Sequence, residues 1–320
     1  WERLVKIYAR FGREAGESHR QQCLLPATAE VLTNKMGTAP GMLMTKNGKT
    51  VVSMPGVPYE MHYLVEHEVM PRVRHLGERN KGRELLRSIT ILTAGAGETT
   101  LAEMIEEVED NLPTHVTLAY LPNLGTVRIR LSARGTNEEN LQADLEKYRV
   151  KIENIIGSYV YGHGSKTLGE AIGELINEEG LTIGTAESCT GGRIAQMITA
   201  VPGASAYFHG SVVAYDNQIK EDVLRVSKKA LKKHGAVSEE VVREMVDGGL
   251  KVLGTDIVVA TTGIAGPGGG SEEKPVGTIW IAVGNKERTM TKLLNAGKDR
   301  ERNITYTAYQ ALNLVRQFVD

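Results

Sequence analysis

A serine stands in a segment of small residues at positions 184–192, with the sequence GTAESCTGG. The segment predicts a strand that turns tightly into a helix, because glycines and small polar residues interrupt the apolar pattern. In open α/β sheets, ligands bind at the carboxyl ends of strands, where the amides of the next helix stabilise negative charge. Ser188 is therefore a candidate nucleophile. Taken alone, a serine at this position is more often an ordinary helix cap.

A lysine that could act as the general base follows the next predicted strand. Tyr215 and Lys220 lie in the segment YDNQIK, which brings a phenol and an amine within one or two turns of each other. Burial lowers the pKa of a lysine, and a neutral amine next to a serine can accept the hydroxyl proton. Most lysines are simply solvated, so this interpretation depends on the fold bringing Lys220 to Ser188.

A glycine-rich loop and two arginines could hold an anionic ligand. The loop at residues 261–270 follows an apolar stretch, and its exposed amides suit a phosphate or an oxyanion. It lacks the Gly-Lys-Ser/Thr ending of a P-loop, and a mobile loop without a ligand is the structural alternative. Arg300 and Arg302 stand at the start of the last predicted helix, where cations are unfavourable unless an anion is near. The pair favours a phosphate partner.

Strands and helices alternate regularly over residues 163–320, the region that contains all of these motifs. The predicted strands are residues 181–186, 208–215, 257–260, 278–283 and, at an edge, 289–294. Helices are predicted before the first strand, between the strands up to residue 260, and from about Asp299 to the end. This order predicts an α/β domain with helices on both faces of the sheet, a three-layer α/β/α arrangement.

Two further regions precede this domain. Residues 81–162 predict a small α+β module, in which residues 127–133 alternate apolar and polar side chains as in a sheet with one wet face. Glycine and polar residues at 161–166 predict its boundary. Residues 1–80 combine Pro/Gly turns with short apolar runs and predict an α/β domain. Because Trp1 enters directly into a helical pattern, we expect this first domain to be incomplete.

The composition limits the remaining function classes. A formal net charge of -1 gives no general attraction to nucleic acid or anionic lipid, so an anionic ligand needs a local site. The two cysteines are too far apart in sequence for a disulfide scaffold, and no uninterrupted apolar stretch approaches about 18 residues. These features predict a cytoplasmic protein without a membrane span. The eight histidines lack zinc-binding spacing, and no metal site is expected.

Four motifs in this order resemble the C-terminal domain of the CinA family, the nicotinamide-nucleotide amidohydrolase. The resemblance covers roughly residues 165–318 and is carried by TAESCTGG at 185–192, VAYDNQIK at 213–220, TGIAGP at 262–267 and R-x-R at 300–302. It implies hydrolysis of nicotinamide mononucleotide to nicotinate mononucleotide and ammonia, in salvage of pyridine nucleotides. No cofactor is implied for this reaction.

The resemblance also implies roles for particular residues. Ser188 is the implied nucleophile and Lys220 its base, Tyr215 is the third catalytic residue, and Arg302 is expected to hold the phosphate. The residues expected to bind the substrate are Glu187, Cys189, Thr190, Gly191, Thr262, Gly263, Gly266, Arg300 and Arg302.

The two earlier regions resemble other parts of the same family. Residues 20–75 are similar to the later part of a molybdopterin-binding-like (MoCF-type) domain, through GTAPG at 37–41 and PGVPYEM at 55–61. In CinA proteins that domain is associated with metal-dependent ADP-ribose pyrophosphatase activity. Its acidic GGLGPTxDD motif is absent here, so a divalent metal is expected only for an intact domain. The module at 81–162 resembles the KH-type linker domain, although the neutral charge argues against nucleic acid as a partner.

Three functions stay open at this level. One is the amide hydrolase, a second is a nucleotide-binding regulatory protein without turnover, linked to competence or DNA damage, and the third is a residual pyrophosphatase. Ser188 and Lys220 favour the hydrolase, because binding alone needs neither a nucleophile nor a base. An incomplete first sheet would leave an unpaired edge that a second copy could cover, and we therefore expect a homodimer.

Overall fold

The structure is a computed structural model that describes residues 1–21, 23–78 and 84–320. The chain divides into two compact units, Trp1–Arg83 and Glu84–Asp320, and each is described by itself. The predicted boundary at residues 80/81 lies outside the described residues. In the part of the chain that the structure describes, no helix combines the length and apolar character needed to cross a membrane.

The first unit is a small antiparallel sheet with helices before and after it. Its strands run in the order β1-β2-β3, and Leu32, Leu43 and Leu64 form its buried core. The elements are α1 (Glu2–Arg10), α2 (Glu17–Gln21), β1 (Glu30–Leu32), β2 (Gly41–Lys46), β3 (Lys49–Ser53), α3 (Pro58–Leu64) and α4 (Met70–Glu78), with a wider helical turn, Val65–Val69, joining α3 to α4.

A buried carboxylate joins the two motifs of this unit. The side-chain amide nitrogen Nδ2 of Asn34 donates to Glu60 Oε2 at 2.5 Å and to the Ala39 carbonyl at 2.8 Å. The Oδ1 of Asn34 accepts the backbone amides of Met36 and Gly37. A Cβ atom added at Gly37 would lie 2.2 Å from the carboxylate, so a larger residue does not fit there. The glycine of GTAPG is thus matched to the glutamate of PGVPYEM.

The second unit begins with a four-stranded antiparallel sheet in the order β5-β6-β4-β7. Its elements are β4 (Leu85–Ala94), α5 (Glu98–Asp110), β5 (Val116–Asn123), β6 (Thr126–Gly135), α6 (Glu138–Ile156), a 3-10 turn (Gly157–Tyr159) and β7 (Val160–His163). The apolar residues of β6 are buried with side chains of α5 and α6, whereas Arg128 and Arg130 are exposed, which confirms the predicted wet face.

The segment predicted as a boundary at residues 161–166 is in part a strand. Residues 161–163 belong to β7, which pairs with β4, and Gly162 is the partner of Leu92 in that ladder. The glycine was expected to interrupt regular structure. At this position its backbone is extended, with φ of 159°, and it continues the sheet.

The rest of the second unit is a five-stranded sheet in the order β12-β11-β10-β8-β9. Strands β8, β9 and β10 are parallel, while β11 and β12 are antiparallel. The elements are α7 (Leu168–Glu178), β8 (Ile183–Glu187), α8 (Arg193–Thr199), a 3-10 turn (Ala204–Ala206), β9 (Phe208–Val213), α9 (Asn217–Asp222), α10 (Lys228–His234), α11 (Glu239–Leu253), β10 (Ile257–Gly263), β11 (Thr278–Gly284), β12 (Thr289–Asn295) and α12 (Arg300–Val319).

Helices cover both faces of this sheet, as the alternation predicts. One buried cluster joins α7, α8 and α12 to the sheet, and a second joins α11 and the residues around α9 and α10 to its other face. The central strand β10 is therefore buried on both sides, which explains its continuous apolar run. Because β8, β9 and β10 are parallel, their carboxyl ends lie at one edge of the sheet, and this edge receives Ser188, Tyr215 and Thr262.

The two sheets of the second unit pack together through α12. Ala94 at the end of β4 belongs to the same buried cluster as the apolar residues of α12. The guanidinium of Arg316 donates to the Ser158 carbonyl at 2.6 Å. A Cβ atom added at Gly125, in the β5–β6 turn, would lie 2.6 Å from Tyr309, so the turn lies directly against the helix. The packing therefore crosses the predicted division at 162/163.

Candidate active site

Ser188 lies in the turn between β8 and α8. Its backbone amide donates to the Thr261 carbonyl at 3.0 Å, which fixes the turn against the neighbouring strand β10. Gly191 and Gly192 have φ angles of 61° and 96°, a left-handed conformation that residues with a Cβ rarely adopt. These two glycines reverse the chain within a few residues and leave Ser188 8% exposed at the sheet edge.

Glu187, the residue before the serine, is fully buried and bonded within the protein. Its Oε2 accepts the backbone amides of Gly192 at 3.0 Å and Ile194 at 3.1 Å. Its Oε1 accepts the amide of Ala195 at 2.8 Å and the hydroxyl of Thr185 at 3.1 Å. Both oxygens are thus engaged at the start of α8. The substrate contact that the resemblance implies for Glu187 stays a prediction.

Lys220 reaches the serine from the first turns of α9. Asp216 caps this helix, because its Oδ1 accepts the Gln218 amide at 2.7 Å. The lysine side chain is only 1% exposed, and its Nζ lies 3.0 Å from Ser188 Oγ. The structure thus brings together the two residues that the sequence predicted as nucleophile and base, although 32 positions separate them in the chain.

The surroundings of Lys220 suit a neutral amine. Burial lowers the pKa of Lys220, and the nearby Asp216 carboxylate opposes that shift. The Nζ also lies 2.8 Å from the Ala214 carbonyl and 3.4 Å from the Tyr215 carbonyl. A neutral amine has two N–H groups and one lone pair. When the carbonyls accept the two N–H groups, the lone pair is left to face the hydroxyl of Ser188.

Tyr215 and Arg300 lie at the solvent side of this pair. The guanidinium of Arg300 donates to the Tyr215 hydroxyl at 2.9 Å and to the Gly266 carbonyl at 2.8 Å. Tyr215 is 61% exposed, so its ring and the arginine are open to a ligand. The glycine-rich loop, the turn after β9 and the start of α12 therefore meet at one point.

Arg302 lies elsewhere. Two residues along an α-helix are about 200° apart around its axis, so Arg300 and Arg302 point to different sides of α12. Arg302 borders a hollow of about 390 Å³ together with Leu124 of the β5–β6 turn, residues 295–299, Asn303 and Tyr306. The structure thus brings Arg300, and not Arg302, to Tyr215. A phosphate contact of Arg302 stays a prediction.

The other residues singled out in the sequence form the buried support of this edge. The hydroxyls of Thr190 and Thr261 are 2.8 Å apart, and Thr262 donates its hydroxyl to the Ala236 carbonyl at 2.7 Å. Cys189 lies in the apolar core, and burial raises the pKa of its thiol to about 12. The thiol is therefore protonated at neutral pH and is not a competing nucleophile.

One residue that holds the glycine-rich loop was not identified from the sequence. The side-chain amide of Asn303 donates to the Ala265 carbonyl at 3.0 Å and to the Gly297 carbonyl at 2.8 Å. Next to this loop, Gly263 lies so close to β11 that an added Cβ would be 2.5 Å from Ile279. A polar residue on the apolar side of the last helix was the signal that could have revealed Asn303.

Two family models and several curated relatives point to one family. Residues 165–319 match the model of the CinA C-terminal domain, and residues 88–162 match that of the damage-inducible protein CinA KH domain. A CinA-like protein of Cytophaga hutchinsonii is 46% identical over 98% of this chain and 74% of its own length. A CinA-like protein of Flavobacterium psychrophilum is 42% identical over 98% of this chain and 73% of its own length.

Solved structures match about half of this chain. The competence/damage inducible protein CihA from Agrobacterium tumefaciens is 36% identical, with a TM-score of 0.47, over 48% of this chain and 94% of that protein. A competence-damaged protein (CinA) superfamily protein from Escherichia coli is 32% identical, with a TM-score of 0.46, over 47% of this chain and 88% of that protein.

Proposed function

The chain belongs to the CinA family, and from this premise we propose that its C-terminal domain hydrolyses the carboxamide of nicotinamide mononucleotide to nicotinate mononucleotide and ammonia. The observation that carries the proposal is the distance of 3.0 Å between Lys220 Nζ and Ser188 Oγ, with the lysine buried. A nucleophile and a base within hydrogen-bond reach are what nucleophilic catalysis requires. Two of the motifs that resemble the amidohydrolase supply this pair, and the R-x-R motif brings Arg300 to the neighbouring Tyr215.

The proposed reaction has two stages. Ser188 Oγ attacks the carboxamide carbon while Lys220 takes the hydroxyl proton, and the carbonyl oxygen becomes an oxyanion. The C–N bond then breaks, Lys220 gives the proton to the departing nitrogen, and ammonia leaves an acyl-enzyme ester. Water attacks this ester with Lys220 again as base, which releases nicotinate mononucleotide and restores the serine.

The open side of the site suits the nucleotide part of the substrate. Arg300 places a cation beside the exposed ring of Tyr215, and its contact with the Gly266 carbonyl holds it there. A guanidinium binds a phosphate through charge-assisted hydrogen bonds, and an aromatic ring offers a face to a pyridinium. We therefore assign the main contact with the substrate phosphate to Arg300. Arg302 is assigned a smaller contribution to phosphate binding.

Ammonia release tests the proposal against a binding protein without turnover. The purified chain is incubated with nicotinamide mononucleotide, and ammonia and nicotinate mononucleotide are measured together, with Ser188→Ala as the matched control. We expect both products in equal amounts from the unmodified chain. Nucleotide binding by calorimetry without either product would favour the regulatory alternative.

A further inference from the structure

We propose that the backbone amides of Cys189 and Thr190 form the oxyanion hole of this site, and that Glu187 is the positioning residue that keeps them available. The proposal rests on the proposed function, because it concerns the oxyanion of an acyl transfer at Ser188. It departs from the expectation that the start of α8 itself would hold the negative charge.

Six of the eight backbone amides in residues 188–195 have an acceptor on another residue. Three amides donate to main-chain carbonyls: Ser188 to Thr261 at 3.0 Å, Gly191 to Ser188 at 3.1 Å and Arg193 to Thr190 at 3.1 Å. Three donate to the Glu187 carboxylate: Gly192 at 3.0 Å, Ile194 at 3.1 Å and Ala195 at 2.8 Å. Within the described residues, Cys189 and Thr190 are left as the two amides of this segment without an acceptor on another residue.

Unpaired amides in a buried turn need an acceptor. Cys189 and Thr190 are both buried, and a buried amide without a partner costs free energy comparable to a lost hydrogen bond. They directly follow the nucleophile, so they lie beside the oxygen of a carbonyl that Ser188 attacks. The amide after the nucleophile has this role in hydrolases whose serine stands in a strand-to-helix turn. A developing oxyanion would satisfy both amides at the moment when its charge is largest.

Glu187 explains why the oxyanion would bind these two amides and not those at the start of α8. Its carboxylate lies at the positive end of α8 and already accepts three amides there, so the helix start has no free donor for a second anion. The same bonds fix residues 192–195 and therefore the turn that carries Ser188. Glu187 is thus bonded to the protein and acts on the reaction through the geometry of that turn.

Glu187→Gln is the sharpest change, because glutamine has the same shape as glutamate. Both carboxylate oxygens accept N–H groups, so the NH₂ of a glutamine must face a backbone donor on one side. The control is Glu170→Gln. Glu170 accepts the amide and hydroxyl of Thr167 in the capping box of α7, where glutamine is also accepted.

The first measurement is steady-state ammonia release. We expect Glu187→Gln to lower kcat by about 100-fold, the effect of losing one oxyanion-hole donor, with KM changed less than about two-fold. Glu170→Gln is expected to keep both constants. A raised KM with normal kcat would show that Glu187 contacts the substrate and would overturn its positioning role, as would normal kinetics.

Two further measurements do not depend on the substrate. Hydrogen exchange of the amides of Gly192, Ile194 and Ala195 should be faster in Glu187→Gln, and unchanged exchange would contradict the assigned bonds. An alkyl fluorophosphonate tests the oxyanion hole directly: Ser188 Oγ forms a bond to phosphorus, the P–F bond breaks, fluoride leaves, and Lys220 takes the proton. The rate of this labelling reports how well the turn stabilises an oxyanion.

The last variant replaces the peptide link before Thr190 by an ester, which removes that N–H alone. We expect labelling of Ser188 to slow by about 100-fold. The same replacement before Gln196, whose amide donates to the Gly192 carbonyl, is the control and should leave labelling near normal. Normal labelling with the ester before Thr190 would overturn the oxyanion assignment. A chain that labels as expected but releases no ammonia would refute only the proposed substrate.

Discussion

An ionisable side chain is buried near the carboxyl end of β8 and another near that of β9, and their surroundings differ. At the end of β8, Glu187 is surrounded by four donors that satisfy both of its oxygens. After β9, Lys220 is equally buried, and within the described residues no carboxylate forms an ion pair with it. A buried charge that is fully satisfied stabilises a structure, whereas one whose pKa is lowered is available for proton transfer.

The largest expected effect on turnover comes from replacing Ser188 or Lys220. Ser188→Ala should lower kcat for ammonia release by about 10⁴-fold or more, and Lys220→Ala by a similar factor. Residues that act as one unit are strongly non-additive, so the double variant should be little worse than either single one. Circular dichroism serves as the fold control.

The same experiment can show that the pair is not the catalytic unit. If Ser188→Ala keeps near-normal turnover, the serine is not the nucleophile. If a chelator abolishes turnover of the unmodified chain, a metal-activated water does the hydrolysis.

Arg300→Ala and Arg302→Ala test which of the two arginines contributes more to binding the substrate phosphate at the open side of the site. We expect Arg300→Ala to raise KM for the nucleotide by about 10- to 100-fold, because a hydrogen bond to a charged group contributes roughly 1.5–3 kcal/mol. Arg302→Ala should raise KM by a smaller factor. A phosphate remote from the amide is bound similarly in the ground and transition states, so kcat should change little in either variant. A larger rise in KM for Arg302→Ala than for Arg300→Ala would instead assign the main phosphate contact to Arg302.

The pH dependence tests the lowered pKa of Lys220. Catalysis needs the neutral amine, so kcat/KM should rise with pH along a limb whose midpoint lies below the ordinary lysine value. An activity profile with its midpoint at or above that value would contradict a lysine base with a lowered pKa.

The stability contributed by Lys220 should depend on pH in the same sense as activity, rising as pH rises. A lowered folded-state pKa means that the unfolded chain binds more protons, so stability from this group is present above the unfolded pKa and is lost as pH falls towards the folded pKa. Lys220→Met should therefore be inactive, with a Tm at neutral pH equal to or above that of the unmodified chain. Glu187→Gln should instead lower Tm, because donors to a buried carboxylate lose their acceptor.

The smallest effect on turnover is expected from deleting residues 1–160. The five-stranded sheet has its own buried clusters and carries every proposed catalytic group, so kcat should stay within a few-fold of the full chain. Tm should fall, because Arg316 loses the Ser158 carbonyl and Tyr309 loses the turn at Gly125. The control is the longer fragment 84–320, which lacks only the first unit and should keep this packing. A folded but inert 161–320 fragment would show that the site is shared with the middle module.

Much of the architecture was readable from local pattern. Periodicity placed the strands of the five-stranded sheet and β6 of the four-stranded sheet, because alternation and continuous apolar runs directly reflect which faces are buried. The segment at 161–166, which we interpreted as a boundary, includes three residues of β7, a strand of four residues with a glycine within its ladder. Such a strand is specified by its pairing with β4 and has almost no pattern of its own.

The sequence by itself determined which residues could do chemistry, because a serine in a glycine turn, a lysine after a strand and arginines at a helix start are local signals. Only the tertiary structure decided which of these side chains meet and what each contacts. The strand order brings Lys220 to Ser188, backbone amides at the start of α8 engage both oxygens of Glu187, and the packing of α12 brings Arg300 to Tyr215. These outcomes depend on contacts between distant parts of the chain, and no local pattern contains them.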